Sequence, residues 1–371
     1  MASAVLITGG AGFIGAHLAA ELLRMGDSVR LLDSLLPQVH GDGGRPDYLP
    51  ADAELMVGDV RDPDAMVRAL RGVDRVVHLA ARVGVGQSTY EIAEYTSVNT
   101  VGTGVLLQAL LDHPVERLVV ASSMSVYGEG LYVDAAGRTV PTTDRTRDRL
   151  EVGSWDPVGP LGEALTPVPT PETKPPSLSS VYALTKFDQE RLCLLFGDAY
   201  QVPTVALRFF NVYGPYQALS NPYTGVLAIF ASRLLNGRPP MIFEDGGQRR
   251  DFVSVHDVAR ACALALSVDG AAGRVVNVGS GHSVSVADIA TRLGRILGQE
   301  SLTPEVTGRF RVGDIRHCFA DIALAADVLA YRPEVDLDAG MTELAAWLEG
   351  QVAVDSVEAA TSELRARGLT V

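Results

Sequence analysis

The stretch Ala4-Val5-Leu6-Ile7-Thr8-Gly9-Gly10-Ala11-Gly12-Phe13-Ile14-Gly15 decides the fold. Its apolar run predicts a fully buried strand. The run breaks into a turn carrying Gly9, Gly12 and Gly15, and an amphipathic helix is expected over 16–25. Gly9 permits the tight strand-to-helix turn. Gly12 lets the backbone approach a pyrophosphate, and Gly15 lets the helix pack close to the sheet. Phosphates would then rest on the unpaired N–H groups of this turn, around Phe13 and Ile14, at the positive end of the helix dipole. A second strand, expected over 28–32, ends in Asp33, about twenty residues past the glycines. A carboxylate there holds the ribose hydroxyls of NAD and repels the extra phosphate of NADP. The expected cofactor is therefore NAD.

Outward from this unit, strands and helices alternate. A Gly-, Pro- and Asp-rich loop (34–52) would form a flexible rim beside the adenosine. A third strand, 54–57, leads to Asp59 and Val60, placed to meet the adenine ring. A helix over 64–70 and a fourth strand over 75–79 follow. The small residues after that strand, in Leu79-Ala80-Ala81, would let the backbone lie against the pyrophosphate. His78 reads as a structural histidine. A long helix over 90–111 contains Asn99, and a fifth strand covers 117–122. This order predicts an α/β fold with a doubly wound parallel sheet.

The fifth strand opens at Ser122-Ser123-Met124-Ser125-Val126-Tyr127-Gly128, at the sheet end where such folds bind ligands. Downstream, Tyr182 and Lys186 fall at i and i+4 on a helix expected over 180–200, so they share one face. An ammonium beside a phenol is expected to lower the phenol pKa and make it a usable base.

The chain has 371 residues, enough for one large two-part domain or two domains. Its net charge of −14 gives no electrostatic reason to seek nucleic acid or anionic membrane. Cys193, Cys262 and Cys318 are far apart and form no CxxC pair, so no metal site or disulfide framework is expected. No stretch reads as a leader or a membrane span, and the expected location is the cytoplasm.

Together these segments resemble the extended short-chain dehydrogenase/reductase superfamily, specifically its nucleotide-sugar epimerases and dehydratases. The resemblance runs roughly from Val5 to Trp347. It rests on the glycine loop, Asp59-Val60, His78 to Ala81, Asn99, Ser122-Ser123 through Tyr127-Gly128, and Tyr182 with Lys186. Later matches are Arg208 to Pro215, Arg250-Asp251-Phe252-Val253 with His256-Asp257-Val258, and Arg311-Val312-Gly313-Asp314. The resemblance implies a Rossmann domain, NAD and a homodimer. It implies Ser123 or its neighbour as holder of the reacting oxygen, Tyr182 as acid/base, and Lys186 on the nicotinamide ribose and tuning Tyr182. Asn99 and Ser122 would join the cofactor site. Asn211, Arg250 and Arg311 would meet the nucleotide-sugar diphosphate. Asp314 would orient Arg311 or meet a hydroxyl, and Ser125 and Arg82 would face the sugar.

The expected partition is a Rossmann domain over 1–210, rejoined at about 252–278. A nucleotide-sugar-binding domain takes 211–251 and 279–350, and a tail with a short helix follows over 351–371. The interval from Ser123 to Tyr182, about 59 residues, is about twice that of family members. It contains a Pro-rich insertion at about 129–178, which reads either as a surface elaboration or oligomer contact, or as a lid over the sugar.

The 4,6-dehydratases of this family place an Asp-Glu pair directly after the Ser/Thr. Here those positions are Met124 and Ser125, which cannot move a proton at neutral pH. The expected reaction is 4-epimerisation through a transient ketone. The stretch from Arg82 to Ser88 and the insertion look most like bacterial dTDP-6-deoxyhexose 4-epimerases, with dTDP-L-rhamnose as the expected substrate. A UDP-hexose or a UDP-uronate is the alternative, Arg82 suiting a uronate carboxylate. A different class is an inactive NAD-binding sensor or scaffold, against which the set Ser123, Tyr182 and Lys186 speaks.

Overall fold

The computed structural model describes residues 3–41, 44–142, 145–218, 225–311, 313–349, 365–367 and 370. The helix expected in the tail lies largely outside the described residues.

The opening run forms β1 (Ala4–Thr8), in which Val5, Leu6 and Ile7 are buried. On one side lie β2 (Ser28–Asp33) and then β3 (Glu54–Val57). On the other lie β4 (Arg75–His78) and β5 (Arg117–Ser123). The strands Thr204–Phe209 and Val275–Val278 extend the same edge, giving seven parallel strands. Strand order reverses between β1 and β4, so a crevice opens beyond their carboxyl ends.

Helices cover both faces. α1 (Phe13–Arg24) packs with the helix Val255–Ala265, and Ile7, Leu18, Leu22, Val258 and Cys262 share one core. Helices Pro63–Leu70, Gly102–Asp112 and Val181–Tyr200 cover the other face around Leu6, Leu106, Leu110, Leu118 and Phe196. Emptying such a site, as in Leu106→Ala, costs roughly 2–5 kcal/mol. Capping follows the sequence: Asp62, Ser180 and Asp336 each accept a backbone N–H at a helix start.

The single long helix expected over 90–111 is instead Ile92–Tyr95, a π-helical segment Thr96–Val101, and Gly102–Asp112. The wide turn places Asn99 wholly inside the protein.

A second sheet is built on Arg249–Ser254. It pairs antiparallel with Ser283–Ser285 and parallel with Asn211–Tyr213 and His317–Cys318. Met241–Ile242 pairs with Glu305–Val306. Helices Val226–Leu235, Val286–Ile296 and Leu337–Leu348 enclose a separate core of Leu227, Phe230, Leu234, Ile289 and Leu344.

The insertion is ordered by polar contacts. Leu131–Val133 and Thr166–Val168 form a small antiparallel ribbon, and Arg147–Glu151 a single helical turn. Gly130 N donates to His317 O, Thr170 N to Phe319 O, and Asp321 N to Thr170 O. The insertion is thus stitched to the segment 317–321 of the second unit.

Candidate active site

A cleft of about 740 Å³ runs across the sheet's carboxyl ends and into the second unit. That volume is of the size that takes a cofactor or drug-sized ligand.

Its first wall is the glycine loop. Gly9 has φ +68°, and a Cβ there would stand 2.8 Å from the Ala80 backbone. Gly15 is needed for a closer reason than packing on the sheet. Its Cβ would come within 2.6 Å of the Gly10 carbonyl, so the helix abuts its own loop. A Cβ on Gly12 would meet only Gly9 O, at 3.3 Å, and no side chain caps α1. Gly9, Gly12, Phe13, Ile14 and Gly15 all line the cleft. The uncapped helix start and the cradle at Gly12 fit a pyrophosphate.

Asp33 lines the cleft at the end of β2, where Oδ2 accepts Ala11 N at 3.0 Å and Oδ1 accepts Leu35 N at 2.9 Å. Asp59 and Val60 also line it, Asp59 holding Arg61 at 2.6 Å, and that ion pair keeps its carboxyl below the usual range. Leu79, Ala80 and Ala81 form the floor beyond β4.

Three residues expected at the cofactor, Asn99, Ser122 and Lys186, do not line the cleft. Asn99 Oδ1 accepts Arg82 N at 2.7 Å, and its amide donates to Arg82 O and Thr185 Oγ1. It braces the cleft wall from behind. Ser122 donates to Glu190 Oε2 at 2.7 Å, within a buried pair of Glu190 and Arg208. Neighbouring strand residues face opposite ways, so Ser123 reaches the cleft and Ser122 does not.

At the end of β5, Ser123, Met124, Ser125 and Tyr182 line the cleft together. Ser125 Oγ donates to Ser123 Oγ at 2.9 Å. Burial raises the Tyr182 phenol above its usual range, and a hydrogen bond with Ser123 pulls it back. The expected lowering by Lys186 is not what acts here. Lys186 lies behind the cleft lining, and burial has brought its ammonium down to about 7.

Arg82 lines the cleft, but its guanidinium pairs with Glu91 at 2.6 Å and lies 5.9 Å from the Tyr95 ring centre. Its charge is already matched, which speaks against the expected grip on a sugar carboxylate. Around it stand Val83 and Val85, with Met124 and Phe210 across the strand ends.

On the second unit, Asn211, Arg250, Arg311 and Asp314 line the cleft. Asn211 Oδ1 and Arg311 Nε are buried with no partner among the described residues, which suits a polar ligand between them. Arg311 lies over Phe243, 4.2 Å from the ring centre. Asp314 Oδ1 stands 3.8 Å from Arg250, and its backbone N donates to Arg311 O at 3.2 Å, so its carboxylate is turned to Arg250 or to a ligand hydroxyl rather than to the Arg311 guanidinium. Sequence reasoning missed Phe243, Gln217 and Gln248 on this wall. Gln217 Oε1 and Gln248 Oε1 are likewise buried without partners among the described residues. No motif marks an isolated glutamine, but Gln248 directly precedes the Arg249-Arg250-Asp251 motif.

Among the described residues, none of 129–178 lines the cleft, which favours the surface elaboration or oligomer contact over the lid. Instead Arg145 donates to Glu244 Oε1 at 2.6 Å and to the backbone carbonyl of Asp314. Arg316 takes the other Glu244 oxygen at 3.0 Å and also binds Asp156. The insertion buttresses the wall carrying Phe243 and Asp314.

No His/Cys/Asp/Glu cluster among the described residues could hold a metal ion. No helix among them is long and apolar enough to cross a membrane.

Residues 5–279 match the NAD dependent epimerase/dehydratase family. The chain is 37% identical to a dTDP-L-rhamnose 4-epimerase of Burkholderia thailandensis, over 93% of this chain and 94% of that one. Among solved structures, UDP-glucose 4-epimerase of Thermotoga maritima with UDP-glucose superposes with a TM-score of 0.76 at 29% identity, covering 93% of this chain and 98% of that one. UDP-glucose 4-epimerase of Thermus thermophilus in complex with NAD gives 0.73 at 31% identity, covering 94% and 100%. A family match over most of the chain, a cleft with a pyrophosphate cradle and an acidic β2 end lead to one assignment: this chain belongs to the NAD dependent epimerase/dehydratase family and is an NAD-dependent nucleotide-sugar epimerase.

Proposed function

We propose that the protein interconverts dTDP-6-deoxyhexoses at C4, with dTDP-L-rhamnose as substrate and dTDP-6-deoxy-L-talose as product. One observation carries the choice of reaction. The carboxylates lining the cleft, among the described residues, are Asp33, Asp59, Glu94 and Asp314. None comes from the end of β5, where elimination would need a carboxylic acid beside C5 and C6.

Bound NAD supplies a hydride acceptor that also returns the hydride. Asp33 would hold the adenosine ribose, Asp59 and Val60 the adenine, and the glycine loop with Leu79–Ala81 the pyrophosphate. Tyr182 takes the proton of the C4 hydroxyl, and Ser123, steadied by Ser125, holds the same oxygen. Lys186, on the same helix face behind the cleft lining, does not lower the resting phenol pKa but would supply positive charge near the phenolate as it forms. The 4-keto sugar turns over within the site, and Tyr182 returns the proton to its oxygen. A phenol raised by burial is a weak acid on its own, so the Ser123 hydrogen bond matters in both directions. Arg250 and Arg311 grip the diphosphate, Arg311 backed by Phe243. The apolar sugar end, with Arg82 committed to Glu91, suits a 6-deoxy carbon better than a uronate carboxylate. A UDP-hexose is the second reading, supported by the likeness to the Thermotoga maritima enzyme.

The domain partition given above follows the two cores except at Ala325, Val328, Leu329 and Tyr331, which belong to the segment given to the second domain and pack in the core of the Rossmann sheet. A homodimer fits the apolar residues Leu111, Leu184, Leu195 and Tyr200, left exposed on two adjacent helices. A cytoplasmic location suits three buried free cysteines. The test is a panel of dTDP-, UDP- and GDP-sugars followed by NMR. Formation of the C4 isomer of dTDP-L-rhamnose is expected. Conversion confined to UDP-hexoses would favour the second reading.

A further inference from the structure

Lys186 is 3% exposed, and Nζ donates to Gln189 Oε1 at 2.7 Å. The direction of that amide is fixed by hydrogen bonds that determine one another. The Thr103 hydroxyl gives its proton to Asn99 O at 2.5 Å. Its lone pairs then face His78 Nε2 at 2.9 Å and accept from Gln189 Nε2 at 3.0 Å. His78 Nε2 also stands 3.1 Å from Gln189 Nε2, and its Nδ1 lies 2.7 Å from Thr8 Oγ1. Thr8 in turn accepts Ala80 N at 3.3 Å. The second amide hydrogen of Gln189 goes to Ala80 O at 3.2 Å. Both amide protons point away from Lys186, and the carbonyl oxygen is the atom left for it. His78 stays neutral in this scheme, in keeping with burial that lowers it to about 3.

We propose that Gln189 is a positioning residue for Lys186, its amide aligned by Thr8, His78 and Thr103 so that it holds the ammonium on the helix face shared with Tyr182. This rests on the reading of Tyr182 and Lys186 as the catalytic pair. The network ties β1, β4, the π-turned helix and the Tyr182 helix to one nitrogen. The other titratable groups acting on that nitrogen are Glu190 and Cys193 of its own helix and His78 of β4. Glu190 is already matched by Arg208. Gln189 is thus the direct neutral acceptor.

The sequence contains two lysines, Lys174 and Lys186. Lysine labelled with ¹³C at the ε position should therefore give two resonances in the full-length NAD-loaded protein, and Lys174→Arg assigns them. In Gln189→Leu, which removes the acceptor, the Lys186 titration midpoint should fall by about one pH unit. Turnover at pH 7 should fall at least about tenfold with KM within about twofold. In Gln189→Glu, of nearly the same shape, the midpoint should rise by about one unit, and the alkaline limb of the pH–rate profile should move up with it. The Lys174 midpoint should not move. An unmoved Lys186 midpoint in both variants overturns the proposal, as does a shifted midpoint with an unmoved pH–rate profile. The titration needs no substrate, so failure of the sugar assignment would show separately, as an absence of turnover in the unmutated protein.

Discussion

Arg145 Nη1 lies 2.6 Å from Glu244 Oε1, across 99 residues of sequence, and both side chains are almost wholly buried. The pair joins the insertion to the cleft wall. Burial and opposite charge act against each other on Glu244, and burial prevails, leaving its carboxyl above the usual range. Removing one partner of a buried pair typically costs about 3–5 kcal/mol. Because Arg316 still pairs with Glu244, Arg145→Met is expected to lower stability by less than that, roughly 1–3 kcal/mol in urea unfolding. It should also raise KM for the nucleotide sugar while NAD affinity stays unchanged. A KM equal to the parent's in folded protein would disconnect the insertion from the site.

The acid/base assignment is tested at Tyr182. Tyr182→Phe keeps the ring and removes the proton carrier. Turnover should drop at least about a hundredfold, with NAD binding nearly unchanged in a fluorescence titration. Near-normal turnover would remove Tyr182 from the mechanism.

Cofactor choice is tested at Asp33. Its carboxylate is fixed by two backbone N–H groups at the cleft edge. Asp33→Ala should weaken NAD binding and narrow its advantage over NADP. A parent protein that prefers NADP would refute the assignment.

Stability should depend on acid pH in a stated direction. Burial holds His78 near 3 and His317 near 4, both below their usual 6.5. Below pH 6.5 the unfolded chain binds protons that these folded sites refuse, so stability falls as pH drops toward 4. Lys186, brought to about 7 from 10.5, acts in the alkaline range instead and leaves this window alone. Thermal unfolding at pH 7 and pH 5 should show the loss, and His317→Gln should reduce it. Equal melting temperatures at both pH values would contradict the account.

Much of this was legible from residue order. The β1 run, its glycines and Asp33 are local signals, and each sits where its spacing places it. The Rossmann sheet is rejoined by the strand Val275–Val278, within the 252–278 segment expected to return to it. What stayed hidden depends on partners distant in sequence or on shape. Nothing near Arg82 announces that Glu91 will neutralise it, because the short helix Val85–Ser88 first has to bring the two together. The π turn around Asn99 keeps helical periodicity in sequence while rotating one side chain inward. The insertion's prolines read as loop, whereas its order comes from Arg145 and Thr170 binding residues far along the chain. Spacing puts Tyr182 and Lys186 on one face, but only burial decides which way their pKa values move.

In the proposed reaction hydrogen leaves C4 and returns to C4, with no carbon-bound proton exchanged with water. This is tested by turning over dTDP-L-rhamnose deuterated at C4 with the NAD-loaded protein, without added NAD(P)H, and reading product by NMR and mass. A C4 isomer that keeps its deuterium is predicted, and the unlabelled sugar turned over in deuterium oxide should acquire none on carbon. Solvent deuterium at C3 or C5, or a stable 4-keto-6-deoxy product, would contradict the account and point to chemistry at C5.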